Sequence, residues 1–374
     1  MAVKLALDVS AVPPRMAGAG RYIGELARRV PATGIDTTLV TRRSDSSRWR
    51  EWSPTARVSS IVPDQRPSRL LYEALVAGRS STARAVDVWH APHYTMPRHC
   101  STPTVVTILD LMFFTNPEWH ERSKVPFFRR AIAYAATHAD VLVAISEFTA
   151  RQLDEYVPTH APVVVATLGV DLETFTTDSS DDVELMRAHG FAVDRPYIFY
   201  LGTFEPRKGI DVLLDAFEEI ARRDSVVELW LAGQPGWGVK AIETRIASHG
   251  ALSRIRRLGF VDERVLPSLI RQSRVVAYPS RGEGFGMPVI EALACGAIVE
   301  TSADTVMSEI AGDTVLLARA GDADQLADVL TRGLAMSDDE REVFARRGRT
   351  RAEMFTWQHT IAQHVKAYEM AAGR

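Results

Sequence analysis

The sequence predicts an α/β protein of two doubly wound domains, each a parallel sheet covered by helices. Three observations carry that expectation. The chain has 374 residues, more than one hydrophobic core usually supports. Short β-branched runs alternate with helix-period segments from end to end, the pattern of parallel strands joined by crossover helices. The alternation breaks once, around 171–196, and then restarts.

In the first series "VKLALDV" (3–9), "TTLV" (37–40), "VDVWH" (86–90), "TVVTIL" (104–109), "VLVAIS" (141–146) and "PVVVA" (162–166) read as strands. They are apolar almost without alternation, as strands covered on both faces must be. Segments 20–30 and 124–138 are helical by period. The break, "DLETFTTDSSDDVELMRAHGFAVDRP" (171–196), is a Ser/Thr/Asp cluster closed by Pro, which predicts a linker holding one small helix. The second series has strands at 197–202, 226–233, 254–261, 274–280, 296–301 and 314–318, with helices at 209–222, 239–249, 263–273 and 287–295. Three helical runs follow at 322–335, 338–353 and 357–372. The domains are therefore expected at 1–175 and 195–350, with a linker at 176–194 and a C-terminal helical segment, 351–374, that could pack back on the first domain.

Composition narrows the function. The chain is 46% hydrophobic and 24% charged, ordinary for a globular protein, with a formal charge of −3. That charge is uneven: residues 1–170 carry a net +5 and the remainder −8. The arginine excess in the first half suits an anionic partner such as a phosphorylated lipid or a membrane surface, or it is a scatter of solvated side chains. Arginines are not interleaved with aromatics on one stripe, so a nucleic-acid partner is not expected. Two cysteines, Cys100 and Cys295, build no disulfide framework and point to a reducing compartment. The N-terminus has only a short apolar run, and no stretch of about 18 apolar residues occurs. The expectation is a cytoplasmic protein, at most peripheral at the inner face of a membrane.

Ligands of open α/β sheets sit beyond the carboxyl ends of the strands. The unusual turns of this chain fall at such ends, and two domains with these edges facing would share one cleft. "RMAGAGRY" (15–22) follows the first strand, where Gly18 and Gly20 let a ligand approach a helix N-terminus. "GTFEPRKGIDVLLDAF" (202–217) sets Arg207 and Lys208 just before a helix, a pyrophosphate clamp unless one merely pairs with Glu205. "RGEGFGMPVIEALACG" (281–296) offers the backbone N–H groups of Phe285, Gly286 and Met287, flanked by Glu283 and Glu291. Pro288 in the first turn and Gly296 beyond the last mark this as a helix. Carboxylates accept from hydroxyls, so an anion beside a polyol, the layout of a nucleotide-sugar, fits both halves. A glycosidase would also use two carboxylates, but these two are expected on one helix beside an anion site, where neither is poised as an acid. No metal is expected: the clearest D-x-D, "DAD" (322–324), reads better as an N-cap, and no Cys/His cluster has ligand spacing.

Taken together, "HAPHYTMP", "TILDLMFFTNPEWH", "ADVLVAISEFTARQL", "LGVDLETF", "YLGTFEPRKGIDVLLDAF", "LGFVDERVLPSLI", "YPSRGEGFGMPVIEALACG" and "MSEIAGD" resemble, in order and over nearly the whole chain, the retaining glycosyltransferases of family 4. The resemblance implies the GT-B fold, two Rossmann-like domains facing across a cleft, the first binding acceptor and the second nucleotide-sugar. It implies that Glu283 accepts from the transferred sugar's hydroxyls, that Glu291 holds the ribose, and that Lys208 with Arg207 neutralises the leaving diphosphate. The turn at Phe260 and Val261 would meet the base, Gly18 and Gly20 would line the phosphates, and Thr203 would join the substrate contacts. Asp110 is counted with the catalytic residues. Where many relatives have His before that Asp, this chain has Leu109, which argues against a His-assisted mechanism and raises the alternative of a weakly active or inactive sugar-nucleotide-binding protein. His90 and His93 follow a strand end and are the nearest imidazoles in sequence. The implied reaction moves a hexose, with mannose from GDP-mannose the favoured donor, to a saccharide or lipid-linked saccharide, with no cofactor beyond the sugar nucleotide.

Overall fold

The computed structural model describes residues 3–14, 16, 18–192 and 194–373. It divides into two units: one runs to Gly169 and includes the chain from Trp357 onward, and the other is Val170–Thr356.

The first unit holds β1 (Lys4–Asp8), β2 (Asp36–Arg42), β3 (Arg57–Val62), β4 (Val88–Ala91), β5 (Thr104–Ile108), β6 (Val141–Ala144) and β7 (Val163–Val165). They form one sheet in the order β3-β2-β1-β4-β5-β6-β7, every pair parallel. Six of the seven strands lie where the apolar runs predicted them. The seventh, β3, escapes a search for apolar runs because "RVSSIV" is an edge strand whose side chains are mostly half-exposed. The helices Ser46–Trp52, Arg66–Leu75 and Glu147–Tyr156 were likewise not anticipated.

The second unit holds β8 (Tyr197–Leu201), β9 (Glu228–Ala232), β10 (Ile255–Gly259), β11 (Val275–Tyr278), β12 (Val299–Ser302) and β13 (Leu316–Ala318). Their order is β10-β9-β8-β11-β12-β13, again all parallel. Ile198, Ala277, Ile298 and Leu316 face a core closed by Leu213, Phe217 and Ile220 of the Ile210–Arg223 helix and by Leu326 and Leu330 of the Ala323–Ala335 helix. Asp322 caps the latter, accepting from the Gln325 amide at 2.9 Å, so the "DAD" run is spent on a helix start.

Two boundaries differ from the sequence expectation. Residues 176–194 are not a free linker: the Asp182–Ala188 helix packs on the Leu266–Gln272 helix, and buried Asp182 pairs with Arg271. That buried ion pair, with Arg271 also donating to the Thr176 carbonyl and Gln272 to Asp182, anchors a segment whose composition reads as loop. At the other end, the second unit continues through the Asp338–Ala352 helix, and only Trp357–Ala371 joins the first unit. That terminal helix lies against β5, β6 and β7.

It is fixed there by a buried polar chain. The Tyr22 hydroxyl lies 2.7 Å from His364 Nε2 and 2.8 Å from Thr107 Oγ1. His90 meets Thr107 Oγ1 through Nε2 and the Tyr368 hydroxyl through Nδ1, each at 2.9 Å. Burial pushes both imidazoles down, His364 to about 4, so they serve as neutral relays of a structural network. His90 is thereby removed from the list of imidazoles free for chemistry.

Candidate functional site

The strand order reverses direction on either side of β8, whose neighbours are β9 and β11. Chains leaving the carboxyl ends of β8 and β11 therefore diverge, opening the crevice where doubly wound sheets bind ligands. The two turns that leave there are Gly202–Gly209 and Pro279–Gly286, the segments singled out from the sequence.

They are built to abut. Pro206–Lys208 makes one turn of 3-10 helix, and Gly209, at φ 69°, starts the Ile210–Arg223 helix. A β-carbon on Gly209 would stand 2.0 Å from the Pro279 carbonyl oxygen, so only glycine lets the turns touch. Arg281 N–H donates to the Arg207 carbonyl at 2.8 Å, and the Arg281 guanidinium grips Asp211 at 2.7–2.8 Å. This tie between turns some 70 residues apart fixes the backbone beneath Arg207 and Lys208.

Above it, four donors converge on one carboxylate. Glu283 Oε1 accepts from Lys208 Nζ, from the Tyr278 hydroxyl at 3.0 Å and from Ser280 Oγ at 2.9 Å. Its Oε2 accepts from Arg207 Nη1 at 2.8 Å. Lys208 Nζ also donates to the Tyr278 hydroxyl at 2.8 Å, and Arg207 Nε to Glu205 at 3.1 Å. Burial alone would raise the Glu283 carboxyl, but Arg207 and Lys208 outweigh it and hold the group at about 2. Burial lowers Lys208, against the pull of Glu283; Arg207 is raised, because Glu283 and Glu205 more than offset its burial. Tyr278 is held in its neutral form by burial and by the neighbouring carboxylate.

The helix that follows is Met287–Ala294, started by Gly286 at φ 96° with Pro288 in its first turn and closed beyond Cys295 by Gly296 at φ 71°. Glu283 is not on it. The expectation of two glutamates on one helix is corrected: a positive-φ glycine separates the loop carboxylate from Glu291, which is buried inside the helix. Phe285 and Met287 are buried too, Phe285 edge-on to Phe355, so what they can offer a ligand is backbone.

Residues 181–351 match the family described as glycosyl transferases group 1, and residues 16–174 match glycosyltransferase family 4. The chain belongs to the family 4 glycosyltransferases. It is similar to O-antigen chain mannosyltransferase B of Escherichia coli, 28% identical over 285 residues that cover 76% of this chain and 74% of that one. Its fold is similar to sucrose-phosphate synthase from Thermosynechococcus elongatus, at TM-score 0.81 and 21% identity over 98% of both chains. It is also similar to Anabaena HepE, solved in complex with UDP-glucose, at TM-score 0.75 and 20% identity over 97% of this chain and 98% of that one. The architecture is GT-B.

Of the residues predicted for this glycosyltransferase, Arg207, Lys208 and Glu283 are in mutual contact. Thr203 lies in the same β8 turn, its carbonyl accepting from the Tyr200 hydroxyl at 3.3 Å. Phe260 follows β10 and is 62% exposed, and Val261 beside it is buried. Gly18, at φ 50°, precedes the Ala19–Arg29 helix in the first unit, whereas Gly20 is buried within that helix's first turn. Asp110 follows β5 and accepts from the Met112 amide at 3.1 Å; Leu109 before it is buried.

Tyr278 and Ser280 were missed; Glu205 was named as an alternative partner for one of the cations, and Arg207 does pair with it while also holding Glu283. The available signal was position: Tyr278 ends β11 and Ser280 opens the turn after it, at a carboxyl edge. On the first unit, Asp8 ends β1, and burial followed by that neighbouring carboxylate raises buried Glu73 to about 7. Burial also pushes His93 down to about 4. Among the described residues, no three His, Cys, Asp or Glu come together as a metal ion would need, and no helix is long and apolar enough to cross a membrane.

Proposed function

We propose that this glycosyltransferase moves a hexose from a nucleoside-diphosphate sugar to an acceptor hydroxyl with retention at the anomeric carbon. The observation that carries the reading is the convergence of Arg207, Lys208 and Glu283 where the β8 and β11 turns abut. Two cations on a locked backbone suit a leaving diphosphate, and a carboxylate at the same point suits sugar hydroxyls. The pair can supply the electrostatic stabilisation that a divalent ion gives elsewhere, so the reading is of a metal-independent enzyme. The departing phosphate takes the acceptor's proton in a front-face substitution, and positioning with charge stabilisation carries most of the rate. Within the second unit, Glu291 takes the ribose and the Phe260–Val261 turn the base.

Mannose from GDP-mannose is the favoured donor, supported by the similarity to the O-antigen chain mannosyltransferase, and HepE with its UDP-glucose makes UDP-sugars the comparison to run. The acceptor is a saccharide or lipid-linked saccharide in polysaccharide or glycolipid assembly, met at the cytoplasmic face of a membrane by the arginine-rich first unit. The test is incubation of the protein with GDP-mannose and a panel of UDP-sugars, in the presence of EDTA, with and without saccharide acceptors. Nucleoside diphosphate should be released, faster with acceptor, and the product should keep the donor's anomeric configuration. Lys208→Ala should abolish nucleotide binding in a folded protein; unchanged binding refutes the clamp. Tight binding with no turnover would instead favour the inactive reading that Leu109 raises.

A further inference from the structure

The Glu283 carboxylate holds the very groups a diphosphate would want. Lys208, Arg207, the Tyr278 hydroxyl and Ser280 Oγ converge on it from two turns and a strand end, and both of its oxygens are engaged. The Lys208 and Glu283 side chains are each only 10% exposed, and Arg207 20%, so water competes little for these bonds. We propose that Glu283 is a built-in competitor for the phosphate donors, so that uptake of the sugar nucleotide is an exchange of one anion for another. Phosphate oxygens take Lys208, Tyr278 and Ser280 from Glu283, and the released carboxylate swings on its glycine-flanked turn to the sugar's hydroxyls. This rests on the reading of a nucleoside-diphosphate-sugar donor and adds Tyr278 and Ser280 to its phosphate ligands.

Charge and geometry require the exchange. Two cations here already face two carboxylates, Glu283 and Glu205. A diphosphate brought to the same cations while Glu283 stayed in place would set like charges within hydrogen-bond distance in a poorly hydrated site. The carboxylate must withdraw, and once withdrawn it is an anion that has lost its partners. A sugar's hydroxyls restore hydrogen bonds to it; a nucleoside diphosphate without sugar does not. The exchange therefore favours intact donor over the nucleoside diphosphate product, a preference that promotes product release.

Calorimetric titration of wild type and Glu283→Gln with GDP, UDP, inorganic pyrophosphate and GDP-mannose tests this. With the competing charge removed, GDP or UDP and pyrophosphate should bind the variant more tightly, by about tenfold or more, a shift of roughly 1.4 kcal/mol per decade. The advantage of GDP-mannose over GDP should shrink in parallel. If Glu283 only reads sugar hydroxyls, diphosphate affinity is unchanged; if it only holds the cations in place, affinity falls; either result overturns the exchange. Should Glu283→Gln fail to fold, Glu283→Asp, whose carboxylate is withdrawn by one methylene, must show the same tightening or the proposal fails. A wild type that binds none of these nucleotides overturns the donor reading together with the exchange, whereas wild-type binding without tightening in the variants overturns the exchange alone.

Discussion

Glu300 should be a liability that grows with pH, and replacing it with Met should stabilise the second unit. The residue lies in the middle of β12, paired with Ala277 of β11 and Leu316 of β13, both members of the apolar core. It is fully buried, and neither carboxyl oxygen has a hydrogen-bond partner. Burial raises its carboxyl from the ordinary 4.5 to about 8, against a weaker opposing pull from the Tyr278 backbone. Between those two values the folded protein keeps a proton that the unfolded chain has released, so stability falls as pH rises through the window. At 1.36 kcal/mol per pH unit, the 3.5-unit window amounts to about 5 kcal/mol by pH 8 and above, and about 3 kcal/mol at pH 7.

Below pH 4.5 the acid is neutral but unpaired, a cost of about 1–3 kcal/mol that persists at every pH. Met has similar length and no polar atom. Glu300→Met should therefore gain a little at pH 5 and several kcal/mol more at pH 8.5. Urea unfolding of both proteins at pH 5, 7 and 8.5, followed by far-UV circular dichroism, gives the difference directly. Other groups titrate identically in both proteins and cancel. A variant less stable than wild type, or a difference that stays flat from pH 5 to 8.5, would refute the assignment of Glu300 as an unpaired buried acid.

Two further outcomes follow from the geometry. The His364–Tyr22–Thr107–His90 chain should make docking of the terminal helix acid-labile: with His364 held at about 4 against an ordinary 6.5, about 3 kcal/mol is lost as pH falls through that window. Hydrogen exchange in Trp357–Ala371 should rise relative to β8–β13 between pH 6.5 and 4.5, after correction for intrinsic rates, and equal protection at both would contradict it. Gly209→Ala should part the two turns, because its β-carbon meets the Pro279 carbonyl at 2.0 Å in a positive-φ conformation. Nucleotide binding should fall at least about tenfold while the far-UV spectrum is kept; wild-type affinity in this variant would show that the turn contact is dispensable.

How much of this was legible beforehand depended on which physical signal each part uses. The strands of both sheets are short β-branched runs because they are covered on both faces, and that pattern survives without any knowledge of their partners. β3 did not show because an edge strand needs only one apolar face, and "RVSSIV" is divided between Val and Ser. The role of 176–194 was hidden for a different reason. Its composition is that of a loop, and what seats it is Asp182 meeting Arg271, a contact across 89 residues that no local pattern encodes. Of the candidate site, glycines and cations at the carboxyl edges were readable because a turn's chemistry is local. Tyr278 was not, because an aromatic ending an apolar strand looks like core until the hydroxyl is seen to bridge Lys208 and Glu283.

The eight-residue spacing between Glu283 and Glu291 invites treatment of the two carboxylates as a matched pair, and the structure argues against that. Gly286, at φ 96°, turns the chain between them, so the spacing is not a helical one and the side chains need share no face. Glu291 is fixed by the rigid Met287–Ala294 helix, whereas Glu283 hangs from a turn tied to its neighbour through Arg281 and Arg207. A residue held by a helix suits an invariant part of a ligand; one held mainly by its counter-ions can change partners. The conserved element of a nucleotide-sugar is the nucleotide, and what changes during transfer is the bond between sugar and phosphate. On the proposed nucleotide-sugar reading, the rigid carboxylate would meet the part of the ligand that stays whole, and the releasable one would stand beside the cations, where the bond breaks.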